Sequence, residues 1–482
     1  MPGAVADSEV RAAGSRRESE VGARGLIAAF IAVLLLPAVL GSSLTIFNDG
    51  DVSWHIATGL WILDHRAIPA VDPFSFTAAG KPWVPIEWLS EVIYASAYRL
   101  AGYGGVAAVV TAALMALHAL VYFHTRRFVP PLLPIVAMDI VLVPMLLARP
   151  HVLTWPLLAL WTLLMLRARE RDRAPSLAAA LLLTLWANLH GSFVIAFVIA
   201  GAFGLEALVD SRDRLKALRQ WLVFGLACLA ASLVNANGPA GLAHPFYLAN
   251  QSILPLVDEW KPSNPAVTPF FFGMLALVAA LILWKRPRLP WVRWLFLAGL
   301  LAMALYQVRH QAMFAIVAAL VLSQGFARGA VHPAAVERKL PAFLAGGALM
   351  LLAARALMPL APPENGANPW KLIAAVPAHL RGLPVLNSYS MGGPLILSGI
   401  RPFIDGRADM YGDAFVHDYA RISRGDRAAF EAAVERWDIR WAIVSSESAG
   451  LDGLLSNSAN WRRIAQDPVG AIYVREENAA AR

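Results

Sequence analysis

The sequence is poor in cysteine and in charged residues. Cys228 is the only cysteine among 482 residues, so an intramolecular disulfide, a cysteine-rich metal site and a redox pair are all excluded. Charged residues make up 15% of the chain, whereas soluble domains carry about 25%. No internal repeat and no low-complexity tract stands out in the sequence. The composition therefore argues against a soluble domain and against a repeat architecture.

The chain is instead rich in apolar residues. They account for 58% of it, the mean hydropathy is +0.55, and the 16 tryptophans suit a protein with much interfacial surface. Apolar runs of about 17–25 residues are long enough to cross a bilayer. We therefore predict an α-helical polytopic membrane protein with about eleven spans, at residues 25–47, 104–123, 131–147, 152–166, 176–189, 193–209, 218–234, 269–283, 291–305, 313–326 and 340–360.

Basic residues cluster at alternate connections between these apolar runs. The positive-inside rule places those connections in the cytoplasm. One alternating path satisfies the rule, provided that residues 88–103 form a juxtamembrane or re-entrant helix outside. This path predicts a disordered cytoplasmic tail (1–24) and a transmembrane domain (25–360) with an outer loop at 48–103, in a bacterial inner membrane. The sequence pI of 9.8 then reflects cytoplasmic anchoring, so nucleic acid is not expected as a partner.

The same path gathers the unusual polar motifs on the outer face. Topology was assigned from lysine and arginine alone, so a convergence of acids, histidines and amides is partly independent support for a site there. The motifs occupy residues 48–51, 87–91, 149–151, 188–191, 235–245, 258–261 and 309–311.

The composition changes after the last apolar run. Residues 362–366 form a linker rich in proline and glycine, and strand-like and helical stretches alternate beyond it. We predict that residues 361–482 form an extracytoplasmic α/β domain. Its acid- and glycine-rich stretch 405–413 is interpreted as the turn-rich rim of a small sheet, with a secondary role in acceptor docking left open.

Two aspartates separated by one glycine follow the first span. The carboxylates of Asp49 and Asp51, with Asn48, offer the oxygen ligands that Mg²⁺ or Mn²⁺ prefers. Alternatively, one carboxylate accepts the proton of an attacking hydroxyl as a general base. A third interpretation is structural, with Asp51 capping the next helix and Asp49 facing solvent. The spacing leaves all three open.

Other residues on the outer face are candidates for binding an anionic substrate. Arginine presents a planar fork of donors that matches phosphate oxygens, and two Arg-His pairs lie at outer helix ends. The structural alternative is that these side chains reach the lipid headgroups, are solvated or pack between helices. The candidates for substrate or phosphate binding are Lys81, Glu87, Arg149, His151, His190, Arg309 and His310.

Four segments carry a resemblance to a known family. They read W-H-x-A-T-G-x-W-I-L (54–63), D-P-F-S-F-T (72–77), E-W-L-S-E (87–91) and D-G-R-A-D-x-Y-G (405–412). With the acidic motif after the first span, they resemble the C-type (GT-C) membrane glycosyltransferases, in particular an uncharacterised bacterial branch. Many relatives carry an acidic residue after the arginine of the second outer motif. This chain has His151 there, which weakens the case for a metal held by two carboxylates.

The resemblance implies a fold and a reaction. A hexosyl or pentosyl group would move, with inversion, from a polyprenyl-phosphate carrier to a glycan, lipid or protein acceptor at the outer face. Asp49 would deprotonate the acceptor hydroxyl, and Asp51 would be an alternative base or a metal partner. The leaving phosphate would be neutralised by Arg149, Arg309 and either Lys81 or His310, and a metal would be optional.

Two functions from other classes also fit the sequence. A transporter or flippase for a lipid-linked or anionic solute would carry charge along a path at the membrane midplane. Only Asp139, Glu206 and Asp210 are acidic within or beside the later spans, and no inverted repeat is evident. A non-catalytic envelope-assembly subunit of the same fold is the second alternative, because a fold does not fix a function.

Overall fold

The computed structural model describes residues 25–326 and 340–476, so the predicted tail 1–24 lies outside the described residues. Each predicted apolar run coincides with a helix. The helices before the C-terminal domain are α1 (Gly25–Gly41), α2 (Asp51–His65), α3 (Trp88–Thr125), α4 (Leu132–Met145), α5 (Pro150–Glu170), α6 (Leu177–Leu189), α7 (Gly191–Asp210), α8 (Arg214–Ser232), α9 (Pro239–Ala249), α10 (Pro269–Lys285), α11 (Trp291–Tyr306), α12 (Gln311–Gly325) and α13 (Leu340–Leu357).

Five of these helices are both long enough and apolar enough to cross a membrane: α3, α5, α7, α8 and α13. The other apolar helices are shorter, at 10–17 residues. Apolar side chains are exposed along many of the helices, as in Leu277 and Leu283 of α10. Such surfaces are stable against hydrocarbon but not against water, so the chain is a membrane-associated protein.

Helix α3 contains a break that the sequence predicted. The backbone leaves the helical conformation at Ala101 (φ −151°, ψ 24°) and Gly102 (φ 57°, ψ −147°). The positive φ at Gly102 is readily adopted only by a residue without a Cβ. The break separates a first helical piece, which begins at Trp88, from the long apolar piece that ends at Thr125. The first piece corresponds to the juxtamembrane segment predicted at 88–103.

The C-terminal domain has the predicted mixture of helices and strands. Its sheet has the order β1-β2-β4-β3, in which β1 and β2 are parallel and the other pairs are antiparallel. The elements are α14 (Trp370–Ala375), β1 (Val385–Asn387), α15 (Gly392–Leu397), α16 (Ala408–Tyr411), α17 (Asp413–Ser423), α18 (Arg427–Arg436), β2 (Trp441–Ser445), α19 (Ala449–Ser456), β3 (Trp461–Gln466) and β4 (Gly470–Arg475).

Both faces of the central strand β2 are buried. Trp441 and Ile443 pack with α14, whereas the alternate residues Ala442 and Val444 pack with α18 and α19. This alternation follows from the two-residue period of a strand. Two helical layers therefore cover the sheet, which gives an α/β domain.

The outer loop shares a core with this domain. Trp54 of α2 and Trp83 of the following loop belong to the same buried cluster as Phe403 and Tyr473. The backbones also approach closely, because a Cβ on Gly393 would lie 2.2 Å from the carbonyl oxygen of Gly50. The C-terminal domain is thus packed directly onto the start of α2.

A buried ion cluster reinforces that contact. Arg407 donates to Asp405 Oδ2 (2.6 Å) and to Asp72 Oδ1 (2.7 Å), and the side chains of all three are at most 1% exposed. Burial alone would raise the pKa of Asp72, but the Arg407 charge and a hydrogen bond from Ser75 hold that pKa below its usual value. The stretch 405–413 was interpreted as the turn-rich rim of a small sheet, and the structure instead buries Asp405 and Arg407. Arg407 neutralises both Asp405 and the Asp72 carboxylate of the earlier loop.

Replacing Arg407 by glutamine should lower the free energy of unfolding by about 3–5 kcal/mol, because two buried carboxylates lose their counter-ion. Urea unfolding of the solubilised chain, followed by tryptophan fluorescence, measures this. The matched control Arg462→Gln removes only an exposed pair with Glu476 and should cost about 0–1 kcal/mol. Equal losses in the two variants would show that the cluster does not stabilise the contact.

Candidate functional site

A cavity of about 450 Å³ lies where the helix ends that we predicted to face outward meet the C-terminal domain. Each of the seven polar motifs predicted on the outer face contributes at least one residue to its lining. Those contributions are Asp51, Glu87 with Glu91, Arg149 with Pro150 and His151, His190, His244, Asp258 with Glu259 and Trp260, and Arg309. The predicted convergence of these motifs is therefore confirmed.

Arg149 holds three carboxylates together. Its Nη2 donates to Asp49 Oδ2 and lies 2.9 Å from Asp51 Oδ2, and its Nη1 donates to Glu259 Oε2 (3.2 Å). Arg149 immediately precedes Pro150, the first residue of α5, where a proline is favourable because the N–H that it lacks has no helical partner. The ion pairs of Arg149 thus connect the start of α5 with the start of α2 and with the short helix Asp258–Trp260.

The Asp49–Asp51 pair does not fit a Mg²⁺ or Mn²⁺ site in this arrangement. A guanidinium already lies between the two carboxylates, in the position that a cation would occupy. Within residues 25–326 and 340–476, no group of three or more His, Cys, Asp and Glu side chains could hold a metal ion. The residues present therefore support an ion-paired site, and no chemical step below passes through a metal.

The two aspartates differ in their surroundings. Asp51 lines the cavity, whereas Asp49 is not among the lining residues and accepts the backbone N–H of Asp51 (2.8 Å). The helix-capping alternative is therefore wrong, because Asp51 is the first residue of the helix and Asp49 pairs with Arg149 instead of facing solvent. Burial raises the pKa of Asp51 to about 7, although the Arg149 charge opposes this. A carboxyl with such a pKa exchanges protons near neutral pH.

Glu87 lies among histidines. The Ser192 N–H donates to His190 Nδ1 (2.9 Å), so the proton of a neutral His190 is on Nε2, which lies 3.1 Å from Glu87 Oε1. His55 Nε2 lies 3.8 Å from the other oxygen, Oε2, and His55 Nδ1 faces Glu91. Burial raises the pKa of Glu87 to about 8, against the charge of Arg309. Glu87 is therefore mostly protonated at pH 7.

Arg309 differs from the other arginines of the cavity. Its guanidinium stacks 4.0 Å from the ring centroid of Trp260 and, among the described residues, has no carboxylate within 4.0 Å. Arg149 and Arg407 also line the cavity, but both are held by acids. Within the described chain, Arg309 is thus the cavity arginine whose donors are available to an anion.

Three of the predicted site residues do not line the cavity. Asp49 is one, as described above. Lys81 is exposed and points to the C-terminal domain, where Nζ donates to the Tyr411 carbonyl (3.4 Å). His310 places Nδ1 3.2 Å from the Met303 carbonyl in the preceding helix. His151 does line the cavity, with Nε2 3.2 Å from the Met145 carbonyl.

The C-terminal domain supplies lining residues that the sequence analysis did not assign. Tyr389, Arg407 and Asp409 line the cavity, and Asp409 pairs with His244 Nε2 (3.1 Å). Gly406 lies against Asp51 so closely that a Cβ at this position would displace the Asp51 carboxylate. Asp409 and Arg407 lie in the acid- and glycine-rich stretch 405–413, which the sequence analysis singled out. Tyr389 carries no signal in the sequence, because only the packing of α15 onto α2 brings it near.

No protein-family model matches the chain, and no curated protein is a significant match to it.

Infrared difference spectra between pH 6 and pH 9 should show two carboxyl groups losing protons, near pH 7 and pH 8. The reason is that burial disfavours the charged form, whereas ordinary carboxyls are ionised above about pH 5. Asp51→Asn should remove the lower transition and Glu87→Gln the upper one. The matched variant Asp64→Asn alters an exposed carboxyl and should remove neither. A spectrum without transitions above pH 6 would contradict both assignments.

Proposed function

We propose that the chain is a membrane glycosyltransferase that moves a sugar from a polyprenyl-phosphate carrier to an acceptor hydroxyl. One observation carries the proposal. A buried carboxyl that titrates near neutral pH and an arginine without a carboxylate partner among the described residues face the same cavity. Direct transfer from a phosphate leaving group needs two such groups. One accepts the proton of the attacking hydroxyl, and the other donates hydrogen bonds to the phosphate.

Asp51 is the better base of the two aspartates. Its carboxylate accepts the acceptor's hydroxyl proton while the hydroxyl oxygen attacks the anomeric carbon. The bond from that carbon to the phosphate oxygen breaks, and the phosphate leaves with the electron pair. A single displacement from the opposite face inverts the anomeric configuration. Asp49 acts by holding Arg149 and the start of α2, which gives it a positioning role in place of the base role first expected.

Arg309 binds the carrier phosphate in this proposal. Its stacking on Trp260 fixes the plane of the guanidinium and leaves donors directed at the cavity. The cavity also has an apolar side near Arg309, formed by Met145, Val267 and Met313 at the ends of helices. A phosphate attached to a hydrocarbon chain requires such a neighbouring pair of surfaces, one cationic and one apolar.

The C-terminal domain covers the acceptor side. Tyr389 and Asp409 bring a hydroxyl group and a carboxylate to the wall that includes Asp51. Groups of this kind donate to and accept from sugar hydroxyls. The acceptor is therefore a glycan, a lipid or a protein that presents a hydroxyl group between the outer loop and this domain.

The candidate transport residues have other partners. Asp139 pairs with His118 (3.0 Å), and Glu206 pairs with Arg169 and Arg293. None of these five groups lines the cavity. Paired charges between helices do not form a path for a solute, which favours transfer over transport.

We place the cavity outside the cytoplasm, in a bacterial inner membrane that the chain crosses eleven times. The support is the distribution of basic residues, which lie at the ends of α5, α8 and α10 far from the cavity. The N-terminus is then cytoplasmic and the C-terminal domain extracytoplasmic.

Asp51→Asn should lower kcat by about 10²–10⁴-fold, the contribution of a general base. With a base of pKa about 7, the native rate should rise about tenfold from pH 6 to pH 8 as Asp51 loses its proton. Release of carrier phosphate from short-chain polyprenyl-phosphate sugars by the purified protein measures both. Asp49→Asn should cost less, and the rise with pH should remain but begin at a lower pH, because the Asp49 charge helps to raise the pKa of Asp51.

Arg309→Gln should weaken binding of the donor by about 10- to 100-fold, because a charged hydrogen bond to phosphate is lost. Arg99→Gln, which alters an exposed ion pair with Asp64, is the matched control and should bind as the native chain does, as should Lys81→Gln. Solute movement without glycosyl product would instead show a transporter. An unchanged envelope phenotype in Asp51→Asn cells would indicate a non-catalytic subunit.

A membrane-impermeant maleimide should label Ala79→Cys in intact cells, whereas Asp172→Cys should be labelled only after lysis. Both positions are exposed, one in the outer loop and one after α5. The background variant Cys228→Ala removes the lone, buried cysteine. The reverse labelling pattern would place the cavity in the cytoplasm and would exclude a donor bound at the outer face.

A further inference from the structure

A second cavity lies along the helices, away from the candidate site. It has a volume of about 1200 Å³ and is formed by α4, α10 and α12. We name it the groove and define it by Met138 of α4, Val278 of α10 and Ala319 of α12. The residues that line its length are apolar, and no acidic residue is among those that line it in the described chain.

One end of the groove is basic. Lys285, Arg286 and Arg288 line it at the point where α10 ends. Arg286 adopts a left-handed conformation (φ 48°, ψ 63°), which stops the helix, and the Arg288 N–H donates to the Gly325 carbonyl (3.0 Å). The turn is thus tied to the end of α12. None of the three cations forms an ion pair with a residue that the structure describes.

The basic end is opposite to the candidate site. Val267, just before α10, lines the site cavity, whereas Lys285 is the last residue of α10. Along α10 the groove runs from Phe271 to Lys285, which corresponds to about 21 Å at 1.5 Å per residue. The hydrocarbon of one leaflet is about 15 Å thick, half of a bilayer core of about 30 Å. The groove is therefore long enough to hold the chains of a lipid that lies in one leaflet, with its headgroup among the cations.

We propose that the groove binds an anionic phospholipid, with its phosphate held by Lys285, Arg286 and Arg288 and its acyl chains lying along α4, α10 and α12. Basic pockets between membrane helices bind anionic headgroups in this manner. The long apolar part of the groove favours a lipid over a free phosphate, which would need only the cations. The positive charge at the basic end favours an anionic lipid over a zwitterionic one, whose ammonium group would meet three positive side chains. This site is separate from the proposed glycosyl transfer and does not depend on it.

Native mass spectrometry of the full-length detergent-purified chain tests the proposal with phosphatidylglycerol and phosphatidylcholine as probes. The native chain should retain phosphatidylglycerol in preference to phosphatidylcholine. Retention should fall about tenfold or more in Arg286→Gln/Arg288→Gln, because two headgroup contacts are lost. It should fall similarly in Ala319→Phe, which fills the half-buried middle of the groove.

Two matched controls should retain the lipid. Arg212→Gln/Arg214→Gln removes two exposed arginines from another basic turn, and Ala280→Phe adds the same ring on the exposed side of α10. Equal losses in the two arginine pairs would overturn the proposal, since binding would then follow overall charge. Loss in Ala319→Phe alone would also overturn it, because the headgroup would lie elsewhere. Displacement of the lipid by inorganic phosphate, with Ala319→Phe still binding phosphate, would show a free-anion site instead.

Discussion

A guanidinium beside apolar helix ends is stable only when its charge is compensated, and Arg149 is compensated from two directions. Asp49 and Asp51 reach it from the chain that enters α2, and Glu259 reaches it from a loop more than a hundred residues further on. This one side chain therefore fixes the relative positions of three segments. It also occupies the place between the carboxylates of Asp49 and Asp51.

The remaining charges of the cavity follow from that arrangement. Once Arg149 is engaged by acids, the Trp260-stacked Arg309 is the guanidinium left for an anion in the described part of the site. Burial meanwhile favours the protonated forms of Asp51 and Glu87. An arginine without a carboxylate partner among the described residues and two titratable carboxyls thus line one space, which is the combination that the proposed transfer from a phosphate would use.

The sequence predicts much of this site because helices restrict where motifs can go. Each span carries the chain from one side to the other, so the positions of arginine and lysine decide which ends meet. That reasoning places Glu87, Arg149, His190 and Arg309 together. It cannot choose between Asp49 and Asp51, because the two residues are similarly exposed and only the fold shows that Asp51 alone lines the cavity. Nor can it find Tyr389, because contact between α15 and α2 depends on packing between distant parts of the chain.

The shared core of the outer loop and the C-terminal domain has a consequence for how the protein is made. Asp72 and Trp83 leave the ribosome long before Arg407 and Phe403, which provide their buried partners. Until residues 403–407 have been made, a carboxylate and an indole of the earlier segment remain without those contacts. The predicted boundary at residue 361 therefore separates segments of sequence, but the cavity needs both segments and is incomplete until Asp409 has been made.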